Sequence, residues 1–409
     1  MRLLVVAEDL RVSGTSEGQV SRSFVYRLAL HPDVEKVDLL YLKKESSDHE
    51  IDMLPLNQVW EHDILFSKNK ISKFVEKLGH KIFGKSLEDK VKLSKMEKIL
   101  SNVRFENYDF IAVRSSGQSF LSLRAFKKFD YLKDKIVLFF HDPYPVFWDP
   151  GYSGPFSKRS ENEFKDMKSL IDLGFKCVTP SNLLSKDLRF LYKSNRNFFT
   201  LPHQFAPEVF SVFNGPKLKK ESGKITFMYH GAIQLGRKID YFLDACKDLM
   251  VESPDFKDQV KLILRIKGND VERIKTKYKD MEILQILPQV PSQVAFWEAK
   301  EIADINLILE PSGNYSNILV GKAPLLDYVN RGVLVLGPEE SELRNLLVDQ
   351  SSFALAGSLI DIKRAVLSSI QKIRDNNTMY PVFGEYFSVE NFNNLASKIF
   401  TPNNNSASE

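Results

Sequence analysis

The sequence predicts an α/β protein made of two doubly wound, Rossmann-like domains facing across a cleft. Three observations predict it. Short apolar runs alternate with stretches whose apolar residues recur at helical spacing, through both halves of the chain. Gly, Pro, Ser and Asn interrupt the pattern where a strand would end and a helix begin. A polar, breaker-rich stretch from Gly215 to Lys224, GPKLKKESGK, separates the halves and reads as a linker. The expected divisions are residues 1–210, a linker at 211–224, a second domain at 225–385, a last helix at 386–400 and a disordered tail at 401–409.

Composition narrows the class. The chain has 409 residues, enough for two or three domains, and is 43% hydrophobic and 27% charged, as a soluble globular protein is. The net charge of +4 is too small to argue for nucleic acid. Cys177 and Cys246 lie in apolar runs and read as buried free thiols, which leaves neither a disulfide framework nor a zinc site. No uncharged run reaches the ~18–20 residues that span a bilayer, and the first residues lack a long apolar signal region. A reduced, cytoplasmic enzyme is the default expectation.

In the first half, Leu3 to Ala7 is a buried strand, followed by the loop Ser13 to Gln19 and a helix from Val20 to Leu30. Gly14 and Gly18 either make a turn or let the backbone approach a phosphate or sugar; the loop is not GxGxxG, so a dinucleotide fingerprint is absent. Val37 to Leu42 is the next strand. From Lys43 to about Leu100 the pattern changes, and residues 43–105 read as a basic, partly helical insertion in which Ile71, Phe74, Val75 and Leu78 recur at helical spacing. Ten lysines between Lys68 and Lys98 face only Glu76, Glu88, Asp89 and Glu97. This excess is either a solvated helix face or a surface pressed against anionic lipid. Tyr108 to Val113 and Ile136 to Phe140 are strands, the second ending in His141-Asp142-Pro143-Tyr144-Pro145. Trp148, Tyr152 and Phe156 follow, as an aromatic wall or as ordinary packing. Phe175 to Thr179 is another strand, and Ser181 fits the N-cap of a helix from Leu183 to Tyr192.

In the second half, Ile225 to Tyr229, Val260 to Ile266 and Ile283 to Leu287 read as strands, with helices at Ile239–Met250 and Ser292–Ile302. The most informative stretch is Ala303 to Leu343. Ile305 to Leu309 is a buried strand, Pro311 to Asn314 break it, a short helix runs past Leu325, Leu326 and Val329, Gly332 stops that helix, and Val333 to Leu336 is a second strand. The polar loop falls at the carboxyl end of a parallel strand, where open sheets bind ligands and where backbone N–H groups suit a phosphate. Phe353 to Leu355, Leu359 to Asn376 and Ser388 to Phe400 complete the pattern as strand, helix and helix.

This stretch is similar to the donor-site segment of GT-B glycosyltransferases, close to glycosyltransferase family four. That family reads Asp-hydrophobic-x-hydrophobic-x-Pro-Ser, a polar loop, then Glu-Ala or Glu-Tyr with Gly five residues after the Glu. Here Ala303-Asp304 opens the segment, Pro311-Ser312 follows, and Gly332 lies five after Asp327. Asp327 thus stands at the family's ribose-binding second Glu. The first Glu, eight residues earlier, is replaced by Leu319, a departure from the two-carboxylate arrangement. Gly231 with Arg237 six residues later resembles the family's diphosphate-binding loop, and His141-Asp142 its acceptor-side His motif. Pro180-Ser181 resembles the Val-x-x-Ser motif. His203 falls where relatives carry Asn at the end of the first domain.

The resemblance implies a nucleotide-sugar donor and a glycan or lipid-linked acceptor in surface polysaccharide synthesis. Arg237, Lys238, Lys322, Tyr315 and the amides of Ser316, Asn317 and Ile318 would hold the donor, with Gly14 near its diphosphate. Asp327 would take the ribose hydroxyls. His141 would orient groups or stabilise charge, and Asp142, Tyr144 and Trp148 would lie on the acceptor side. It also implies retention, no cofactor beyond the donor, and a terminal helix that crosses back to the first domain. No Asp-x-Asp metal motif stands out, so metal-independent transfer is expected. A GT-B nucleotide-sugar epimerase and a non-catalytic binding subunit are the alternatives.

Overall fold

The computed structural model describes residues 1–45, 49–66, 79, 84, 86–117, 119–143, 157–194, 198–215, 217–234, 236–268, 270–376 and 380–402. It divides into two compact units. One comprises Met1–Val209 with Ser388–Glu409, the other Phe210–Phe387.

The first unit is a seven-stranded parallel sheet. Its strands are β1 (Arg2–Ala7), β2 (Lys36–Lys43), β3 (Gln58–Asp63), β4 (Phe110–Arg114), β5 (Ile136–Phe139), β6 (Lys176–Thr179) and β7 (Phe198–Thr200), in the order β3-β2-β1-β4-β5-β6-β7. Continuous burial of Leu3 to Ala7 in β1, Phe110 to Val113 in β4 and all of β5 explains their unbroken apolar runs, since helices cover both faces of a parallel sheet. The order reverses between β1 and β4. That is the switch point at which loops from neighbouring strands part and leave a crevice.

Two elements of this unit depart from the sequence reading. Residues 43–105 were expected as a partly helical insertion with no strand singled out in it, and β3 occupies part of it as an edge strand exposed at every position. An edge strand buries neither face, so it carries no apolar alternation to read. Helix Leu87–Leu100 fills the end of the same stretch. Helix Lys158–Ile171 was not anticipated; only Met167, Leu170 and Ile171 near its end are buried, too short a stripe to show a period. The Ile71–Leu78 stripe, most of the lysine-rich 68–98 region, and Tyr144, Trp148, Tyr152 and Phe156 lie outside the described residues. Ser181 does cap helix Asn182–Leu191, accepting from Leu184 N at 3.2 Å.

The second unit is a six-stranded parallel sheet of β8 (Ile225–Ala232), β9 (Val260–Lys267), β10 (Leu284–Leu287), β11 (Ile305–Leu309), β13 (Gly332–Gly337) and β15 (Phe353–Leu355). Their order is β10-β9-β8-β11-β13-β15, with the reversal between β8 and β11. Beside it, β12 (Tyr315–Ser316) and β14 (Glu340–Ser341) form a small ladder that ties the loop after β11 to the loop after β13. One face of the large sheet packs under helices Asp240–Glu252 and Leu359–Arg374, the other under helix Ala323–Tyr328 and the segment around Phe383.

The final helix, Val389–Ile399, returns to the first unit. Phe392 meets Phe24 edge-on at 6.1 Å, Phe400 meets Phe110 at 5.7 Å, and Lys176 Nζ donates to the carbonyls of Ile399 (3.0 Å) and Thr401. Cys177 and Cys246 are buried and form no disulfide. No described helix is long and apolar enough to cross a membrane.

Candidate functional site

Each unit gathers charged side chains where its strand order reverses. In the first unit the loops after β1, β4 and β5 supply them, together with the start of helix Ser16–Ala29. Thr15 caps that helix, accepting from Gly18 N at 3.2 Å, and this places Glu17 in the first turn. Gly14 has φ of +91° with open space around it, so the turn demands glycine. Gly18 is needed for a different reason: a Cβ there would lie 2.6 Å from the Arg11 carbonyl.

His141 follows β5 and is 8% exposed. Its ring stacks on Phe120 at 4.7 Å and 6°. Nδ1 lies 3.1 Å from Ser115 Oγ; Nε2 lies 3.2 Å from Gly117 O, 3.3 Å from Glu17 Oε1 and 3.7 Å from Asp142 Oδ2. Every neighbour of Nε2 is an acceptor, so Nε2 carries a proton. Burial opposes a charged ring, but the hydrogen bond and charge of Glu17, with Asp142 adding, outweigh it and raise the His141 pKa. Burial likewise opposes the Glu17 anion, yet His141 and the Gly117 amide (2.9 Å) bring its pKa down to about 2. The Nε2 proton is locked to the Glu17 carboxylate, and the charged form of the ring is favoured. Glu17, His141 and Asp142 offer three donor atoms within 4.8 Å of one another, the spacing of a cation site. A metal at Nε2 would have to displace the proton that Gly117 O and Glu17 both hold, so the residues present fit an imidazolium better than a ligand set.

Around this pair lie two further basic groups. Arg114 ends β4, is buried, donates from Nε to Ser21 Oγ at 3.1 Å and sits 4.4 Å over the Phe24 ring. Burial lowers its pKa to about 10. His203 is neutral: burial, then the charges of Arg114 and His141, push its pKa down to about 3. Sequence reasoning missed Glu17 and Arg114. The available signals were a carboxylate in a capped first turn and an arginine closing an apolar strand.

In the second unit, β8 ends at Gly231-Ala232 and β11 ends at Leu309, followed by Glu310-Pro311. Ser312 joins the two loops, its N and Oγ both donating to Gly236 O at 3.1 Å. Gly231 has φ of +154°, and a Cβ there would meet Lys322 Nζ and Tyr229 Oη, each at 2.9 Å. Lys322 donates to the His230 carbonyl and sits 4.1 Å over the Tyr229 ring. Burial, with the Arg237 charge adding, pushes its pKa down to about 7. Arg237 Nε is buried and has no hydrogen-bond partner among the described residues. Behind Lys322, His230 Nε2 meets Glu298 at 2.9 Å, and Arg265 grips Glu298 at 3.0 and 2.5 Å.

The carboxylate of this cluster is Glu310, which sequence reasoning did not single out. It is 1% exposed, and burial raises its pKa to about 8 although Ser341 and Arg237 favour the anion. Oε2 accepts from Ser341 Oγ at 2.7 Å; Oε1, near the buried Ser316 hydroxyl, closes no hydrogen bond. Its signal was an acid ending the apolar run Ile305 to Leu309, directly before Pro311.

Of the other expected residues, Ser316 and Asn317 are buried in the loop, while Tyr315 and Ile318 are partly buried. Lys238 is exposed and lies 5.9 Å over the Tyr241 ring. Asp327 is committed elsewhere: its Oδ1 accepts from Phe383 N at 3.1 Å, and the Val382 amide also stabilises the anion. Burial nevertheless raises its pKa to about 6. Leu319, at the family's first Glu, is 2% exposed and packs with Ile308, Ala323 and Val335. That position is core, not site.

No family model and no curated protein sequence matches the chain. Solved structures do. A UDP-forming α,α-trehalose-phosphate synthase from Burkholderia xenovorans is similar over 98% of each chain, at 13% identity and a TM-score of 0.60. The lipopolysaccharide outer core galactosyltransferase WaaB is similar over 98% of this chain and 99% of its own, at 11% identity and a TM-score of 0.55. A Listeria monocytogenes protein assigned as a UDP-N-acetylglucosamine 2-epimerase covers 95% and 94%, at 10% identity and a TM-score of 0.54. At these identities the likeness is one of fold, and the fold is the two-domain α/β architecture termed GT-B.

Proposed function

We propose that this protein is a glycosyltransferase. It moves a sugar from a nucleotide-diphosphate sugar to a glycan or lipid-linked acceptor of a surface polysaccharide, with retention and without a metal. The supporting observation is the half-buried pair Arg237 and Lys322 beside Gly231, at the strand reversal of the second unit, with the buried Arg237 Nε lacking a hydrogen-bond partner among the described residues. Two cations with donors to spare suit the two charges of a diphosphate, and they act in a water-poor site where such contacts are strongest. Glu310, neutral below about pH 8, adds a hydrogen-bond donor without repelling the anion.

In the transfer, the bond from the anomeric carbon to the diphosphate oxygen breaks and its electron pair leaves on the diphosphate. The acceptor oxygen bonds to that carbon, and its proton passes to the departing phosphate oxygen. Arg237 and Lys322 stabilise the charge that develops there. His141, as an imidazolium held by Glu17, orients or stabilises charge and is not the nucleophile. The lysine-rich 68–98 region would serve for peripheral contact with anionic lipid, its alternative being a solvated helix face.

The test is a thermal-shift screen with UDP, GDP, dTDP, ADP and CMP, since a ligand that binds only the native state stabilises it by mass action. One nucleoside diphosphate should raise Tm in the native protein and not in Arg237→Ala. Product analysis with the matching nucleotide-sugar then separates transfer from 2-epimerisation. A protein stabilised by none of the five would contradict the reading.

A further inference from the structure

A groove of about 690 Å³ opens on one face of β1, β2 and β3, toward the starts of the strands and so away from the His141 loops. Its floor takes alternate residues from each strand, which therefore share a face: Lys36 and Asp38 from β2, Trp60 from the edge strand β3. Its wall is the end of helix Leu87–Leu100 and the turn after it. The volume lies within the range of small-ligand sites, roughly 300–1,000 Å³.

Three features fix the chemistry of an occupant. Trp60 is 40% exposed, a flat apolar ring in a groove lined by both polar side chains and the aliphatic Leu4, Leu40, Ile99 and Val103. Arg2, Lys36 and Arg104 are exposed cations on the lining; Lys36 makes a loose surface pair with Glu35 at 3.8 Å, and the Arg2 backbone amide donates to Asp109 Oδ2 at 2.7 Å. The one carboxylate on the lining, Asp38, has both oxygens engaged, by Asn57 Nδ2 at 2.8 Å and Tyr108 Oη at 2.9 Å. The groove therefore offers a stacking surface, side-chain amides that both donate and accept, and a surplus of positive charge.

We propose that this groove binds an acidic oligosaccharide. Trp60 stacks on the apolar face of a sugar ring, amides such as Asn102 meet hydroxyls, and Arg2 and Arg104 pair with carboxylates. A lipid surface fits less well, because the feature is concave and the neighbours of Trp60 on its strand face, Gln58 and His62, are polar. A nucleic acid fits less well, because Trp60 and the smaller His62 ring, with Tyr108 buried and bonded to Asp38, and a net charge of +4 give neither a run of stacking platforms nor a basic stripe. The site goes beyond the transferase reading and requires only binding. In a transferase it would hold a length of glycan apart from the chemistry and keep the chain attached between turnovers.

The test titrates the full-length protein with an oligogalacturonate hexamer, a hyaluronan hexasaccharide, maltohexaose and a single-stranded thymidine oligonucleotide. Trp60→Ala and Arg104→Glu are measured beside it, both exposed positions that leave the core intact. At least one acidic hexamer should bind, at least tenfold more tightly than maltohexaose. Each variant should weaken it at least tenfold, with Tm and nucleotide stabilisation unchanged. No binding of either acidic hexamer, equal binding by Trp60→Ala, or tighter binding of maltohexaose or the oligonucleotide would overturn the assignment. Nucleotide stabilisation is read separately, so failure here leaves the donor-site reading standing, and the reverse.

Discussion

Lys322 Nζ lies 4.1 Å above the Tyr229 ring and reaches back to the carbonyl of His230, the residue before Gly231. The ammonium is thus held by a ring face and a carbonyl, neither of which carries a full negative charge, while Arg237 adds positive charge nearby. Burial, with the Arg237 charge adding, disfavours the proton and leaves the group short of an anion. A bound diphosphate would supply it.

Removing either cation should therefore weaken nucleotide binding without unfolding the protein. Each charge-assisted contact to a phosphate is worth about 1.5–3 kcal/mol, so Arg237→Ala and Lys322→Met should each raise Kd by roughly 10- to 150-fold. Gly231→Ala should do the same, because its Cβ would occupy the space of the Lys322 ammonium. Calorimetric titration checks this; an unchanged Kd in Lys322→Met would remove that residue from the site.

Glu310 gives a pH signature. Its folded pKa, about 8, stands above the ordinary 4.5, so folding forces a proton onto it and stability is withdrawn as pH rises from 4.5 to 8. Glu310→Gln should leave Tm nearly unchanged at pH 4.5 and raise it increasingly up to pH 8. A difference in Tm that does not vary with pH would show that the carboxyl is not held neutral.

Glu17 and His141 should report on one another. The pair contributes most between pH 4.5, where unfolded Glu17 ionises, and 6.5, where unfolded His141 loses its proton. It is lost as pH falls through about 2 or rises through the elevated His141 value. In Glu17→Gln the burial of the ring and the charge of Arg114 go largely unopposed, so the His141 pKa should drop below 6.5. Proton NMR of the ring C–H signals measures it directly; a pKa that stays raised would mean that Asp142 alone holds the charge.

Restoring the family's acid at position 319 should harm the protein. Leu319→Glu puts a carboxylate among Ile308, Ala323 and Val335 with no cation provided, at a cost of about 3 kcal/mol or more. Denaturant unfolding should show that loss, and turnover should not rise.

The parallel sheets were legible because buried strands such as Leu3 to Ala7 and Val333 to Leu336 are apolar at every position. The order of their breakers also marked where ligand loops begin. Ser181 was legible as a cap because its hydrogen bond is local. Gly231 and Arg237 lie six residues apart on one loop, and the structure places both in one cluster with Lys322. Glu310, Glu17 and Arg114 were not legible, because what distinguishes them is who faces them across the sheet end, and that is a tertiary fact. Asp327 shows the converse. Its spacing to Gly332 is right, but the structure commits its carboxylate to the amides of residues 382 and 383. β3 was invisible because an edge exposed on both faces leaves no periodic trace.

The helix Val389–Ile399 covers Phe24 of a unit whose other residues are synthesised first. The chain leaves that unit at Val209, builds the other, and only then returns. A nascent polypeptide emerging from the ribosome must therefore carry an unfinished N-terminal body for the whole time that some 180 further residues are translated. During that interval the aromatic faces of Phe24 and Phe110 lack the cover of Phe392 and Phe400, and this is the stage at which chaperone engagement would matter most.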